Sequence, residues 1–246
     1  MSIIEEEPYK RITLDGVIKI KEQMMNCICK LKKNEEIGTG FICTITDKLF
    51  VFVTNSHILN KKDIEENKVI DISTNNKSIK IIMDKNRKKY TNRELDITII
   101  ELKPNKDEID KYLEIDEKDI NKKEDKSVYI LHYPGEEVSV SYGVIKEIKK
   151  EKIIEHSFIT KELSSGSPII SLKTYKVVGI HCGCSIYENE GLYIKYAIDK
   201  FINENKNKKR RYFLNYLINY LKNNFFYILI KLIYRKINIL CFIFYV

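Results

Sequence analysis

Closely spaced apolar runs rich in β-branched residues, polar turns between them, and one charged segment dividing the runs into two groups predict an all-β protein in two halves. Between residues 16 and 100 the runs are VIKI, NCICKL, GFICTI, LFVFVT, KVIDI, IKIIM and DITIIEL. Runs this short, bounded by turn residues, read as strands at the spacing of a barrel or a sandwich. Residues 103–126, KPNKDEIDKYLEIDEKDINKKEDK, have little capacity to form a core and read as a long connection, with a short helix around residues 109–113. The strand rhythm resumes with SVYILHYP, VSVSYGVIKEI, KIIEHSFIT, SPIISL, KVVGIHCG and GLYIKYAI. A short helix is expected at residues 199–205, and a basic, apolar tail follows.

The charge distribution bounds the partners. Nine of the 43 cations fall in residues 206–246, which hold no Asp or Glu, so residues 1–205 carry 34 cations against all 35 acids. The body therefore lacks the excess that drives phosphate binding, and no nucleic-acid partner is expected. The start, MSIIEEEPYK, is acidic where a secretory signal needs a basic start and an apolar run. An intracellular, cytoplasmic protein is expected, with its cysteines as free thiols rather than a disulfide framework. Cys27/Cys29 and Cys182/Cys184 form C-x-C pairs, whereas zinc knuckles use C-x-x-C, so no metal is expected. No cofactor motif is present either.

Four segments carry chemistry together. FVFVTNSHIL runs an apolar strand into a polar turn at His57; NRELDITIIEL opens a strand with Asp96; ITKELSSGSPII is a Ser/Gly turn before a proline and a new strand; KVVGIHCG places His181 on a strand. Each alone reads equally well as structure. Their order, His then Asp then Ser across an all-β chain, differs from the orders found in α/β-hydrolases and subtilisins.

With these motifs in place, the chain resembles the trypsin-like peptidases over roughly residues 22–204. GTGFICTI with FVTNSHIL looks like their first-barrel signature, LDITII like their Asp strand, SSGSPI like their nucleophile turn, and HYPGEEVSVSYGVI like the strand pair opening their second barrel. The resemblance implies two six-stranded antiparallel β-barrels of the chymotrypsin type with the active site between them. It divides the chain into an N-terminal extension (1–20), a first barrel (21–112), a second barrel (113–205) and a tail (206–246). It also implies a serine endopeptidase acting on protein or peptide substrates, with His57, Asp96 and Ser165 as the catalytic triad. A serine hydroxyl is a poor nucleophile near neutral pH, so it needs a base such as His57, whose other ring nitrogen Asp96 would orient.

Two positions depart from the family pattern. Leu163 stands where a glycine usually lends its N–H to the oxyanion hole beside that of Ser165, which raises the alternative of a catalytically inactive domain that binds peptides or proteins. Ser164 replaces the aspartate that in many members pairs with a newly cut N-terminus. TKELSSGSPII with VVGIHCG most resembles the glutamyl endopeptidases, in which the positions of Thr160 and His181 line the S1 pocket, implying a preference for an acidic P1 residue. His132 and His156 are read as structural.

In the tail, FFYILIKLIYRKINILCFIFYV is about the length of a membrane span. Its fourteen Leu, Ile, Phe and Val residues supply roughly −6 kcal/mol, while Lys231, Arg235 and Lys236 cost roughly +9. Peripheral contact of residues 212–246 with anionic lipid is the reading this balance favours over spanning, alongside a tail packed on the barrel.

Overall fold

The computed structural model describes residues 11–33, 36–116, 126–150, 152–158, 164–184 and 189–243. Among these residues fourteen strands form two sheet systems, antiparallel except at β8. The first contains β1 (Ile28–Lys33), β2 (Glu36–Thr46), β3 (Leu49–Thr54), β4 (Val69–Ser73), β5 (Ser78–Ile82), β6 (Lys89–Asn92) and β7 (Ile97–Leu102) in the order β5-β4-β1-β2-β3-β7-β6. The two-residue β8 (Leu113–Glu114) adds in parallel to β2 at Cys43 and Thr44, beyond the reach of β1. The second contains β9 (Ser127–His132), β10 (Ser139–Lys149), β11 (Ile153–His156), β12 (Pro168–Ser171), β13 (Val177–Cys184) and β14 (Asn189–Tyr193), closed as β10-β11-β14-β13-β12-β9.

The two-barrel, all-β plan is therefore present, but its first half is a curled sheet whose edges, β5 and β6, do not pair. Alternate residues of β4 and β5 (Ile70 and Ile72, Ile79 and Ile81) turn inward onto Leu31, Ile42, Phe52 and Ile100. Arg87 spans the open seam. It donates from Nε to the Ile82 carbonyl at 3.0 Å, from Nη1 to the Glu101 carbonyl at 2.7 Å, and from both Nη atoms to Asp107 at 2.6 and 3.0 Å. Asp107 lies on the short helix α2 (Pro104–Asp107), and both charged side chains are only 2% exposed. The second barrel packs Ile130, Ile145, Ile154, Phe158, Ile169 and Val178 inside its ring.

Three sequence readings are corrected. VIKI lies not on a strand but on the helix α1 (Leu14–Asn26), which Thr13 caps by accepting the Gly16 N–H at 3.2 Å. Gly16, Ile20 and Gln23 are its buried residues, an i, i+4, i+7 stripe. Gln23 ties this helix to the second barrel, donating to the Tyr175 carbonyl at 2.9 Å and accepting from the Tyr129 hydroxyl. The connection holds its helix at α2 rather than at residues 109–113, because Pro104 suits a first helical turn. Finally, YIKYAI leaves β14 at Tyr193 and enters a helix, α3 (Ile194–Ile243), longer than the expected residues 199–205. Its buried Ile194, Ala197, Ile198 and Phe201 repeat at helical spacing. Residues from Ile202 onward form a separate compact unit, and no helix among the described residues is long and apolar enough to cross a membrane.

Candidate active site

The pairing of β3 with β7 sets Thr54 opposite Thr98, so the end of one strand meets the start of the other. His57, three residues beyond Thr54, and Asp96, two before Thr98, thereby come together. His57 Nδ1 lies 2.6 Å from Asp96 Oδ2, while Asp96 Oδ1 accepts from the His57 backbone N–H and the Ser56 hydroxyl, each at 3.0 Å. Burial alone would push the Asp96 carboxyl up. The hydrogen bonds from His57 and Ser56 outweigh it and hold the group below its ordinary value. Asp96 therefore accepts as a carboxylate, which puts the imidazole proton on Nδ1 and leaves Nε2 as the basic nitrogen.

Asp96 has φ +47, a conformation that Asp tolerates better than most side chains. Buried Asn55 holds it there, its Nδ2 donating to the Asp96 carbonyl at 2.7 Å. Cys182 on β13 also faces Asn55, Sγ to Nδ2 being 3.7 Å. Burial and the Asp96 charge raise its thiol to about 12, so it is not a thiolate near neutral pH.

The turn at residues 164–167 is docked against both halves. The carbonyl of Ser165 accepts from the Thr39 N–H on β2 at 3.2 Å; the Gly166 N–H donates to the His181 carbonyl at 3.0 Å, and the His181 N–H to the Ser167 carbonyl at 2.8 Å. Gly166 has φ +85, and a Cβ there would stand 1.9 Å from the Thr39 carbonyl oxygen and 2.9 Å from Thr54 Oγ1. Only glycine fits this approach. Thr54 in turn leads directly into Asn55, Ser56 and His57, so the turn carrying Ser165 leans on the strand ends that present the other two residues. Ser165 is half-buried and the His57 side chain 52% exposed, while Ser164 is buried.

His132, His156 and His181 gather behind this turn. His132, the last residue of β9, places Nδ1 2.7 Å from Ser164 Oγ and Nε2 3.0 Å from Ser141 Oγ. His156 Nε2 and His181 Nδ1 are 3.1 Å apart. Burial, reinforced by a neighbouring imidazole, lowers His181 to about 4 and His156 to about 3, and burial lowers His132. His156 Nδ1 is buried with no partner among the described residues. The two rings share one hydrogen bond, and the Glu190 backbone acts on both in the opposite direction to burial without offsetting it.

Leu163 and Thr160 lie outside the described residues. Ser56, Asn55 and His132 were not singled out for the site from the sequence; only the T-N-S-H run, polar residues at the end of an apolar strand, pointed toward the first two. Among the described residues, Cys27, Cys29, Cys43 and Cys182 are free thiols, and no group of three His, Cys, Asp or Glu side chains is arranged to hold a metal ion.

The sequence model of the trypsin-like peptidase domain matches residues 38–180, from the start of the His57 region into β13. The chain belongs to the trypsin-like peptidase domain family. As a member, it is a serine-type endopeptidase. Its fold is similar to that of the Rv3671c protease of M. tuberculosis in its inactive form, at 17% identity and a TM-score of 0.57, over 80% of this chain and 98% of that one. The active form of the same protease matches at 16% identity and a TM-score of 0.54, over 78% of this chain and 87% of that one. A serine endoprotease from Yersinia pestis matches at 13% identity and 0.56, over 79% of this chain and 69% of that one. No curated protein matches the sequence. At these identities the solved structures establish the peptidase's chymotrypsin-type two-barrel fold.

Proposed function

We propose that this peptidase cleaves proteins or peptides through an acyl-enzyme intermediate, with Ser165 as nucleophile, His57 as general base and then acid, and Asp96 as the group that orients His57. The observation that carries this reading is the 2.6 Å bond between His57 Nδ1 and Asp96 Oδ2, which leaves Nε2 free to take a proton. In the first step the Ser165 hydroxyl gives its proton to His57 Nε2 as Oγ bonds to the substrate carbonyl carbon. The developing oxyanion is received by the backbone N–H groups of Ser165 and Leu163. His57 then returns the proton to the leaving amine, and water repeats the sequence on the ester.

The same reading gives the S1 pocket to Thr160 and His181, with preference for Glu or Asp at P1. Support comes from His181 lying on the strand that flanks the nucleophile turn, where an imidazole N–H is a donor suited to a carboxylate.

The test is labelling of the full chain with a fluorophosphonate, followed by mass spectrometry of the labelled peptide and cleavage of a P1 library. The adduct is expected on Ser165 and lost in His57→Ala, with acidic P1 residues cleaved fastest. An adduct on Ser164, or no adduct, would overturn the triad and favour a binding domain. A preference for Lys, Arg or large apolar residues would overturn only the acidic pocket.

A further inference from the structure

We infer that His132 is a positioning residue for the proposed reaction: through Ser164 it fixes the turn that presents the Ser165 hydroxyl and backbone N–H. This rests on Ser165 being the nucleophile. Every residue of the turn is held in place by a hydrogen bond. Ser165, Gly166 and Ser167 are tied through backbone groups to Thr39 and His181; the Ser164 carbonyl accepts from the Ser167 N–H at 3.3 Å and from the Ser167 hydroxyl, and the Ser164 Oγ lies 2.7 Å from His132 Nδ1. Backbone ties fix where the turn sits. Ser167 grips the carbonyl of the peptide whose N–H is assigned to the oxyanion, and His132 fixes the Ser164 side chain beside it, so the two ties together set how that peptide is rotated.

The surroundings of His132 suit an anchor and not a base. Ser164 is 1% exposed and His132 3%, which leaves neither a path to a substrate. Burial lowers His132, so the ring stays neutral near pH 7 with one donor and one acceptor nitrogen. Two serine hydroxyls, each able to donate or accept, meet them in a Ser141–His132–Ser164 chain. The strand itself is anchored beside the turn, because the Tyr133 N–H donates at 3.1 Å to the hydroxyl of Thr39, the residue whose own N–H holds Ser165.

The experiment compares His132→Ala, His132→Asn, His132→Gln and Ser164→Ala in the full chain, by steady-state kinetics with thermal melting as the control for folding. His132→Ala and Ser164→Ala should each lower kcat about 10²-fold, the effect of losing one oxyanion donor, with KM nearly unchanged. The double variant should lose no more than either single one, because both remove the same contact. Asn carries a polar atom where Nδ1 stands and should restore most of kcat; Gln reaches only the Nε2 position and should not. Independently of turnover, Ser164→Ala should shift the ¹⁵N resonance of His132 Nδ1. Additive losses, an unchanged kcat in folded His132→Ala, equal rescue by Asn and Gln, or an unmoved resonance would each overturn the inference. An inactive, unlabelled wild type would instead overturn the function on which it rests.

Discussion

Replacing Gly166 by alanine exchanges a hydrogen for a methyl group at the tightest point of the site. The new Cβ would sit 1.9 Å from the Thr39 carbonyl oxygen, where contacts under 3.0 Å essentially do not occur, so the turn must retreat by about 1 Å. Thr39 cannot give way, because β2 is paired on one side through Lys30 and on the other through the adjacent Gly40 with Thr54. The left-handed φ of +85 adds about 1–2 kcal/mol for an L residue, and overpacking about 1–3. A loss of roughly 2–5 kcal/mol is therefore expected, lowering the melting temperature by roughly 5–15 °C in a domain of this size. Moving a reacting group by about 1 Å costs about 10² in rate, so fluorophosphonate labelling should slow at least that much. Gly135, where an added Cβ meets nothing within 4 Å, supplies the control: Gly135→Ala should leave both readings unchanged. A Gly166→Ala chain that labels and melts like the wild type would refute the docking of the turn on Thr39.

Acid should weaken the fold through the histidines behind the turn. His156 and His181 stay neutral when folded, at about 3 and about 4, but take protons near 6.5 when unfolded. The unfolded chain thus binds more protons between pH 6.5 and 4, so stability falls as pH drops through that window, by on the order of 3 kcal/mol for each of the two groups. Denaturant midpoints measured from pH 7 to 4.5 should show this slope, and His156→Gln should flatten it; parallel curves would refute the assignment. At the seam of the first half, Asp107→Ala would strand the buried Arg87 guanidinium and should cost about 3–5 kcal/mol in urea unfolding. A loss below about 1 kcal/mol would show that the pair does not close the sheet.

The strands were legible because nearly all are apolar runs bounded by turn residues, and the His, Asp and Ser motifs because each sits where such a run starts or stops. β6 escaped notice because KYTN has too few apolar residues to form a run. α1 was misread because Val17, Ile18 and Ile20 fall close together in sequence, although Val17 and Ile18 are exposed and only Ile20 is buried. Helical spacing from Gly16 to Gln23 and the Thr13 cap were the better signals. The link between His132 and Ser164 could not be read at all. The two lie 32 residues apart, neither belongs to a shared motif, and only closure of the second barrel brings β9 beside the turn before β12.

The two halves of the site are closed by different physics. Opening a ring of six strands means parting a hydrogen-bonded ladder along its length, while the curled sheet has no such ladder between β5 and β6 and is tied there by Arg87, which links β5 to β7 and α2. One side chain is a hinge pin; a ladder is a weld. The half that carries His57 and Asp96 is accordingly expected to open first, and amide exchange should be faster on β5 and β6 than on β9 and β13. On that ordering, mild heat should abolish labelling of the serine before the second barrel itself unfolds.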